Sequence, residues 1–143
     1  MLKGIPNILS PELLKTLAEM GHGDDIIIAD GNFPAASHAQ RIIRADGHDI
    51  PEMLKAITQF LPIDTYDDHP VALMEVVKGD PIEPTIWKEY EAILETYNYD
   101  FRATEYVERF AFYERAKKAY AIVATSEKAL YANIILKKGV VSE

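Results

Sequence analysis

Residues 26–29, Ile-Ile-Ile-Ala, form an unbroken apolar run, three of its four side chains β-branched, set between Gly23-Asp24-Asp25 and Asp30-Gly31-Asn32. A short apolar run bounded by turn formers reads as a strand buried in a sheet. Further strand candidates follow at 42–45, 71–77, 120–125 and 131–139. Helical signals lie between them. Ser10-Pro11-Glu12 combines a capping hydroxyl, a proline suited to the first turn and an acid at the positive end of the dipole. Leu13, Leu14, Leu17 and Ala18 then recur at helical spacing, and Gly21 stands in the position that ends the helix. Asp49 is placed to cap a second helix over 51–60, with Met53, Leu54, Ile57 and Leu61 inward. A third is predicted over 84–97, with Ile86, Tyr90, Ile93 and Leu94 on one face. Residues 106–110 fit strand or helix, and 112–119 favour helix.

Strands alternating with helices predict an α/β fold, three-layer α/β/α with a mixed central sheet, as a single domain over 1–143. The chain shows no internal repeat and no linker that would divide it. With 15 basic against 23 acidic residues its net charge is −8, which repels phosphate backbones and argues against nucleic acid. The one basic cluster, Arg115-Ala116-Lys117-Lys118, is interrupted and reads as a solvated helix face. The absence of cysteine excludes disulfides, thiolate metal sites and a nucleophilic thiol. No run approaches the roughly 20 apolar residues of a membrane span. No apolar leader opens the chain, and a cytoplasmic location is expected.

Gly21-His22-Gly23 places a histidine between two glycines, after a helix and before a strand. An imidazole is the side chain whose ordinary titration spans neutral pH, so His22 is the candidate acid/base. Asp30 ends the strand, where ligand sites form in open α/β sheets. It reads either as a turn former or as a carboxylate that accepts hydrogen bonds from hydroxyls or orients an imidazole. Phe33-Pro34 would wall its flank. His22 and Asp30 are separated by about 25 Å at full extension. One site can use both only if the His22 loop folds back or if a second subunit supplies one of them. The other histidines, 38, 48 and 69, sit among loop formers, and no pair has metal-ligand spacing.

Arg109-Phe110-Ala111-Phe112-Tyr113-Glu114-Arg115 reads equally as an amphipathic element with core aromatics or as a sugar pocket of flat rings and donors. Tyr131-Ala132-Asn133 opens the last strand, as a simple strand entry or as a polar rim. No glycine pattern matches a phosphate loop, a dinucleotide fingerprint or a nucleophile elbow.

Taken together, Leu-Ser-Pro-Glu-Leu-Leu at 9–14, Met-Gly-His-Gly-Asp at 20–24, Asp30 with Asn32-Phe33-Pro34, Ile-Arg-Ala-Asp-Gly at 43–47, Arg109-Phe110 with 112–116, 121–125 and 131–139 resemble the L-fucose mutarotase family, related to the D-ribose pyranases. The resemblance implies an isomerase that interconverts the α and β anomers of a free monosaccharide, L-fucose first, with no cofactor and no metal. It implies a ring-shaped homo-oligomer, commonly a decamer, with sites at subunit contacts. By position, His22 resembles the catalytic acid/base, and Asp30, Arg109, Tyr113, Tyr131, Ala132 and Asn133 resemble the sugar ligands. Fucose-type members usually carry Tyr-Gly-Asn in the last motif, and Tyr-Ala-Asn is the ribose-pyranase form. A ribose-type pyranase and a non-catalytic sugar-binding protein on the same scaffold are the alternatives.

Overall fold

The computed structural model describes residues 1–142. Five strands, β1 (Asp25–Ala29), β2 (Ile42–Ala45), β3 (Val71–Met74), β4 (Glu105–Val107) and β5 (Ala121–Thr125), run in one direction, and β6 (Ile134–Lys137) runs against them. Their order across the sheet is β2-β5-β1-β6-β3-β4. The predicted mixed sheet is therefore five parallel strands with one reversed strand inserted between β1 and β3.

Alternation along β1 sets the two faces. Ile26 and Ile28 join one core with Leu13 and Leu17 of α1 (Pro11–Glu19), Met53 and Ile57 of α3 (Ile50–Thr58), and Tyr90 and Leu94 of α4 (Ile86–Glu95). Ile27 and Ala29 face the other way, toward α2 (Ala35–His38) and toward Phe112 and Ala116 of α5 (Arg109–Lys118). A strand covered on both sides has no polar face, which is why its sequence is continuous rather than alternating.

The caps read from sequence form. Ser10 Oγ accepts the Leu13 amide at 3.1 Å, and the Asp49 carboxylate accepts that of Glu52 at 3.0 Å. At α5 it is Glu108 that takes the Phe110 and Ala111 amides, both at 3.0 Å. Residues 106–110 turn out to be both alternatives in succession, the end of β4 and the start of α5.

Several boundaries differ from expectation. The predicted strand 71–77 stops at Met74, because Val77 leaves the sheet and donates its amide to the Tyr131 hydroxyl at 3.2 Å. The helix predicted over 84–97 spans Ile86–Glu95, and Asn98 beyond it is left-handed (φ 61°). The last strand begins at Ile134, not Tyr131, since Tyr131 is itself left-handed (φ 56°), a rare state for a non-glycine residue. Gly21 does not adopt a left-handed cap. Instead the Lys138 ammonium closes α1 by donating to the carbonyls of Leu17 at 2.8 Å and Met20 at 2.6 Å. Gly23 is the left-handed residue of that loop (φ 89°).

Candidate active site

A crevice of about 430 Å³ opens where β1, β3 and β4 end and β6 begins. It lies within the size range of ligand pockets. Asp30, Arg109, Tyr113, Tyr131 and Asn133 all line it, with Phe33 and Met74 as apolar surface and Val77, Asp80 and Leu130 along one side. Five of the seven site residues read from the sequence thus meet in one place, drawn from three separate segments: the end of β1, the first turns of α5 and the entry to β6.

Each is held by identifiable bonds. Asn133 Oδ1 accepts the Asp30 amide at 2.7 Å, which ties the end of β1 to the start of β6 and leaves the carboxamide NH2 for another partner. Asp30 Oδ1 caps its own turn by accepting the Asn32 amide at 2.9 Å. Burial pushes the Asp30 carboxyl above its ordinary range, against the pull of the Asn32 and Phe33 amides and the Asn133 side chain. Arg109, at the first turn of α5, donates Nε to the Tyr113 hydroxyl at 3.2 Å. The Tyr113 ring stands edge-on to Phe33 and to His38, each 5.5 Å away between centroids. The Tyr131 hydroxyl donates to Asp80 Oδ2 at 2.6 Å. That bond is the largest cause holding the phenol above its usual range. From the other face of the sheet, Trp87 Nε1 donates to the Tyr131 carbonyl at 2.8 Å and the Tyr90 hydroxyl to the Ala132 carbonyl at 2.7 Å. Ala132 itself is fully buried behind the crevice and adds no surface to it.

His22 is elsewhere. It lies at the opposite end of β1, and its loop does not fold back toward Asp30. Gly23 donates its amide to the Lys138 carbonyl at 2.8 Å, and Gly21 donates to Asp24 Oδ2 at 2.7 Å. The imidazole Nε2 lies 2.9 Å from Asp64 Oδ1. The Asp64 side chain is 4% exposed and that of His22 46%, so a buried carboxylate presents an open ring. Burial pushes the Asp64 carboxyl up, but the Tyr66 amide, His22 and the Asp67 amide outweigh it and leave the carboxyl below its ordinary range. An ionised carboxylate only accepts, so Nε2 carries the hydrogen and Nδ1 of the neutral ring is free to take a proton. Tyr66, 78% exposed, packs its ring 5.1 Å from that of His22.

Asp64 and Asp80 were not singled out by sequence reasoning. Asp64 stands 42 positions from its histidine, and the only local signal is an Asp-Thr-Tyr turn after Pro62. Asp80 reads locally as a Gly-Asp-Pro loop residue. Among the described residues no cluster of His, Asp or Glu is arranged to hold a metal ion.

Sheet order and crevice together define a three-layer α/β protein with a polar crevice at the carboxyl ends of its parallel strands. The whole chain is similar to known sequences: residues 3–141 match the RbsD / FucU transport protein family, and the chain belongs to that family. It is 54% identical over 147 residues to the fucose mutarotase of Homo sapiens, covering 99% of this chain and 95% of the relative. The L-fucose mutarotase of Actinobacillus pleuropneumoniae is 49% identical over 140 residues, 98% and 97% of the two chains. A crystal structure of the fucose mutarotase from Streptococcus pneumoniae in complex with L-fucose superposes with a TM-score of 0.95 at 55% identity, covering 99% of this chain and all of that one.

Proposed function

We propose that this chain is an L-fucose mutarotase, an isomerase that interconverts the α and β anomers of the free sugar. The observation that carries the reading is the crevice itself: a carboxyl, a carboxamide, a guanidinium and two phenols around an apolar floor, on a chain about half identical throughout to fucose mutarotases. Flat apolar surface suits a sugar face, and the polar groups suit its hydroxyls. In this reading Asp30, Arg109, Tyr113, Tyr131 and Asn133 fix the sugar and Ala132 supplies backbone behind them.

The reaction needs two coordinated proton transfers. A base removes the proton of the anomeric hydroxyl while an acid protonates the ring oxygen; the C1–O5 bond opens to the free aldehyde. Rotation and closure on the other carbonyl face, with both protons returned, give the second anomer. In our reading His22 Nδ1 handles one proton, oriented by Asp64, and a tyrosine or water handles the other.

His22 and the crevice lie at opposite ends of β1 within one chain, so the reading assigns them to one site only across a contact between two copies. Exposed apolar groups support that arrangement: Tyr66 beside His22, and Leu130 and Phe110 at the crevice end. Contacts that join unlike ends of identical subunits generate a ring when the rotation closes, and we take the assembly to be a ring-shaped homo-oligomer, a decamer of two rings, in the cytoplasm. Among the described residues no helix is long and apolar enough to cross a membrane.

Saturation-transfer NMR of anomer exchange on L-fucose tests the proposal. Wild-type protein accelerates exchange, and His22→Ala returns it to the solvent rate. Exchange by His22→Ala at the wild-type rate would overturn the assignment. Faster pyranose–furanose exchange on D-ribose than on L-fucose would point to the pyranase, and sugar binding without acceleration to a binding protein.

A further inference from the structure

Asp80 has no part in the reading above, yet it lines the crevice and makes two directed bonds there. Its Oδ1 accepts the Ile82 amide at 3.1 Å, which closes the loop that carries it. Its Oδ2 takes the hydrogen of the Tyr131 hydroxyl at 2.6 Å. The Val77 amide, from the same loop, donates to that hydroxyl at 3.2 Å. The Tyr131 oxygen has therefore spent its hydrogen and one acceptor position, and what it presents to the crevice is an acceptor.

That polarity matters because the other groups are mostly donors. Arg109 has only donors to offer. Asn133 has committed its oxygen to the Asp30 amide, so its NH2 remains. Tyr113 accepts from Arg109 and keeps its hydrogen for another partner. A monosaccharide brings one hydrogen on every hydroxyl, and each hydrogen needs an acceptor when it leaves water. Of the groups read as sugar ligands, the Asp30 carboxylate and the Tyr131 oxygen are the ones with no free hydrogen, able only to accept.

We infer that Asp80 is a positioning residue that fixes Tyr131 as a hydrogen-bond acceptor for a sugar hydroxyl and thereby sets part of the affinity of the site. The inference rests on the reading of the crevice as the sugar site. Asp80→Asn is nearly isosteric and separates the loop role from the polarity role. Asn Oδ1 still accepts the Ile82 amide, but its NH2 now faces the Tyr131 oxygen. The phenol must then accept there and turn its own hydrogen into the crevice.

The experiment is a series of L-fucose titrations of anomer exchange by saturation-transfer NMR on Asp80→Asn, Tyr131→Phe, the double variant and Arg109→Ala, with thermal melting of each. Asp80→Asn is expected to raise KM about tenfold, with kcat and melting temperature near wild type. Tyr131→Phe raises KM similarly, and the double variant is no worse than Tyr131→Phe. A wild-type KM in Asp80→Asn, while Arg109→Ala and Tyr131→Phe raise theirs, overturns the inference alone. So does an additive double variant, which would have Asp80 acting on the sugar directly, or a lowered melting temperature with kcat and KM both disturbed. Unchanged KM in Arg109→Ala and Tyr131→Phe would remove the crevice reading, and the inference with it.

Discussion

The two ends of β1 are built for different work. At its start, His22 and Asp64 form an acid–base pair on a tightly bonded loop, with the ring open to solvent. At its end, Asp30 opens a walled crevice rich in donors, which among the described residues no histidine lines. The first end can move a proton and has little to hold a sugar with; the second can hold a sugar. A rigid strand keeps them apart, so neither loop motion nor side-chain rotation merges them. In the proposed reading one reaction is divided between these two ends, which requires that copies meet end to end.

The test with the largest expected effect breaks that division directly. His22→Ala and Asp30→Ala should each lose exchange, by about 10² to 10⁴-fold for the acid/base. Assembled together from unfolded mixtures, they should recover activity, since about one contact in four then joins an intact His22 to an intact Asp30. Recovery measured by saturation-transfer NMR supports a shared site, and its absence in well-formed mixed oligomers would locate both functions within one chain.

Next in size comes the orientation of His22. Asp64→Asn loses the ionised acceptor that sets the tautomer, and exchange should fall on the order of 10²-fold, with L-fucose still bound at the crevice by calorimetry. Gly139→Ala reaches the same end by a steric route. A β-carbon there would lie 2.8 Å from both Asp64 Cα and the Ile63 carbonyl oxygen, so the 62–64 segment must shift. Overpacking of this kind costs about 1–3 kcal/mol. The expected result is a lower melting temperature and slower exchange, with KM spared.

The sequence made the strands and the crevice more legible than the acid–base pair, for reasons that lie in how far each signal extends. Residues 26–29 announce a buried strand by themselves, and Ser10 and Asp49 announce their helices because a cap bonds three residues ahead. Asp30, Arg109 and Asn133 were legible as candidates through the local motifs that carry the family resemblance. Asp64 was not, because its role is defined by a histidine 42 positions away. The Tyr131 turn reads as strand in the sequence because a left-handed tyrosine is locally unfavourable. It is accompanied by bonds from Trp87 and Tyr90, whose significance is invisible until α4 is packed beneath β6. The short α2 has only four residues, too few to show a period.

The smallest effect concerns stability, and it has opposite signs at the two ends. The Asp30 carboxyl titrates above its ordinary range when folded, chiefly through burial. The native state therefore holds that proton more tightly than the unfolded chain, and the stability linked to it, present at low pH, is lost as pH rises through the folded value. At neutral pH the ionised group burdens the fold. Asp30→Asn keeps an oxygen for the Asn32 amide and removes the charge. It should melt above wild type at neutral pH, with the gap closing toward the ordinary carboxyl value of 3.8, even as KM rises. Asp64 titrates below its ordinary range, so its ionised form stabilises the fold at neutral pH and that contribution is lost as pH falls through the folded value. Asp64→Asn should accordingly melt below wild type at neutral pH. Calorimetric melting of both variants between pH 3 and pH 8 checks the pair, and an Asp30→Asn that melts below wild type at neutral pH would mean that the crevice carboxylate is held by more than the bonds seen here.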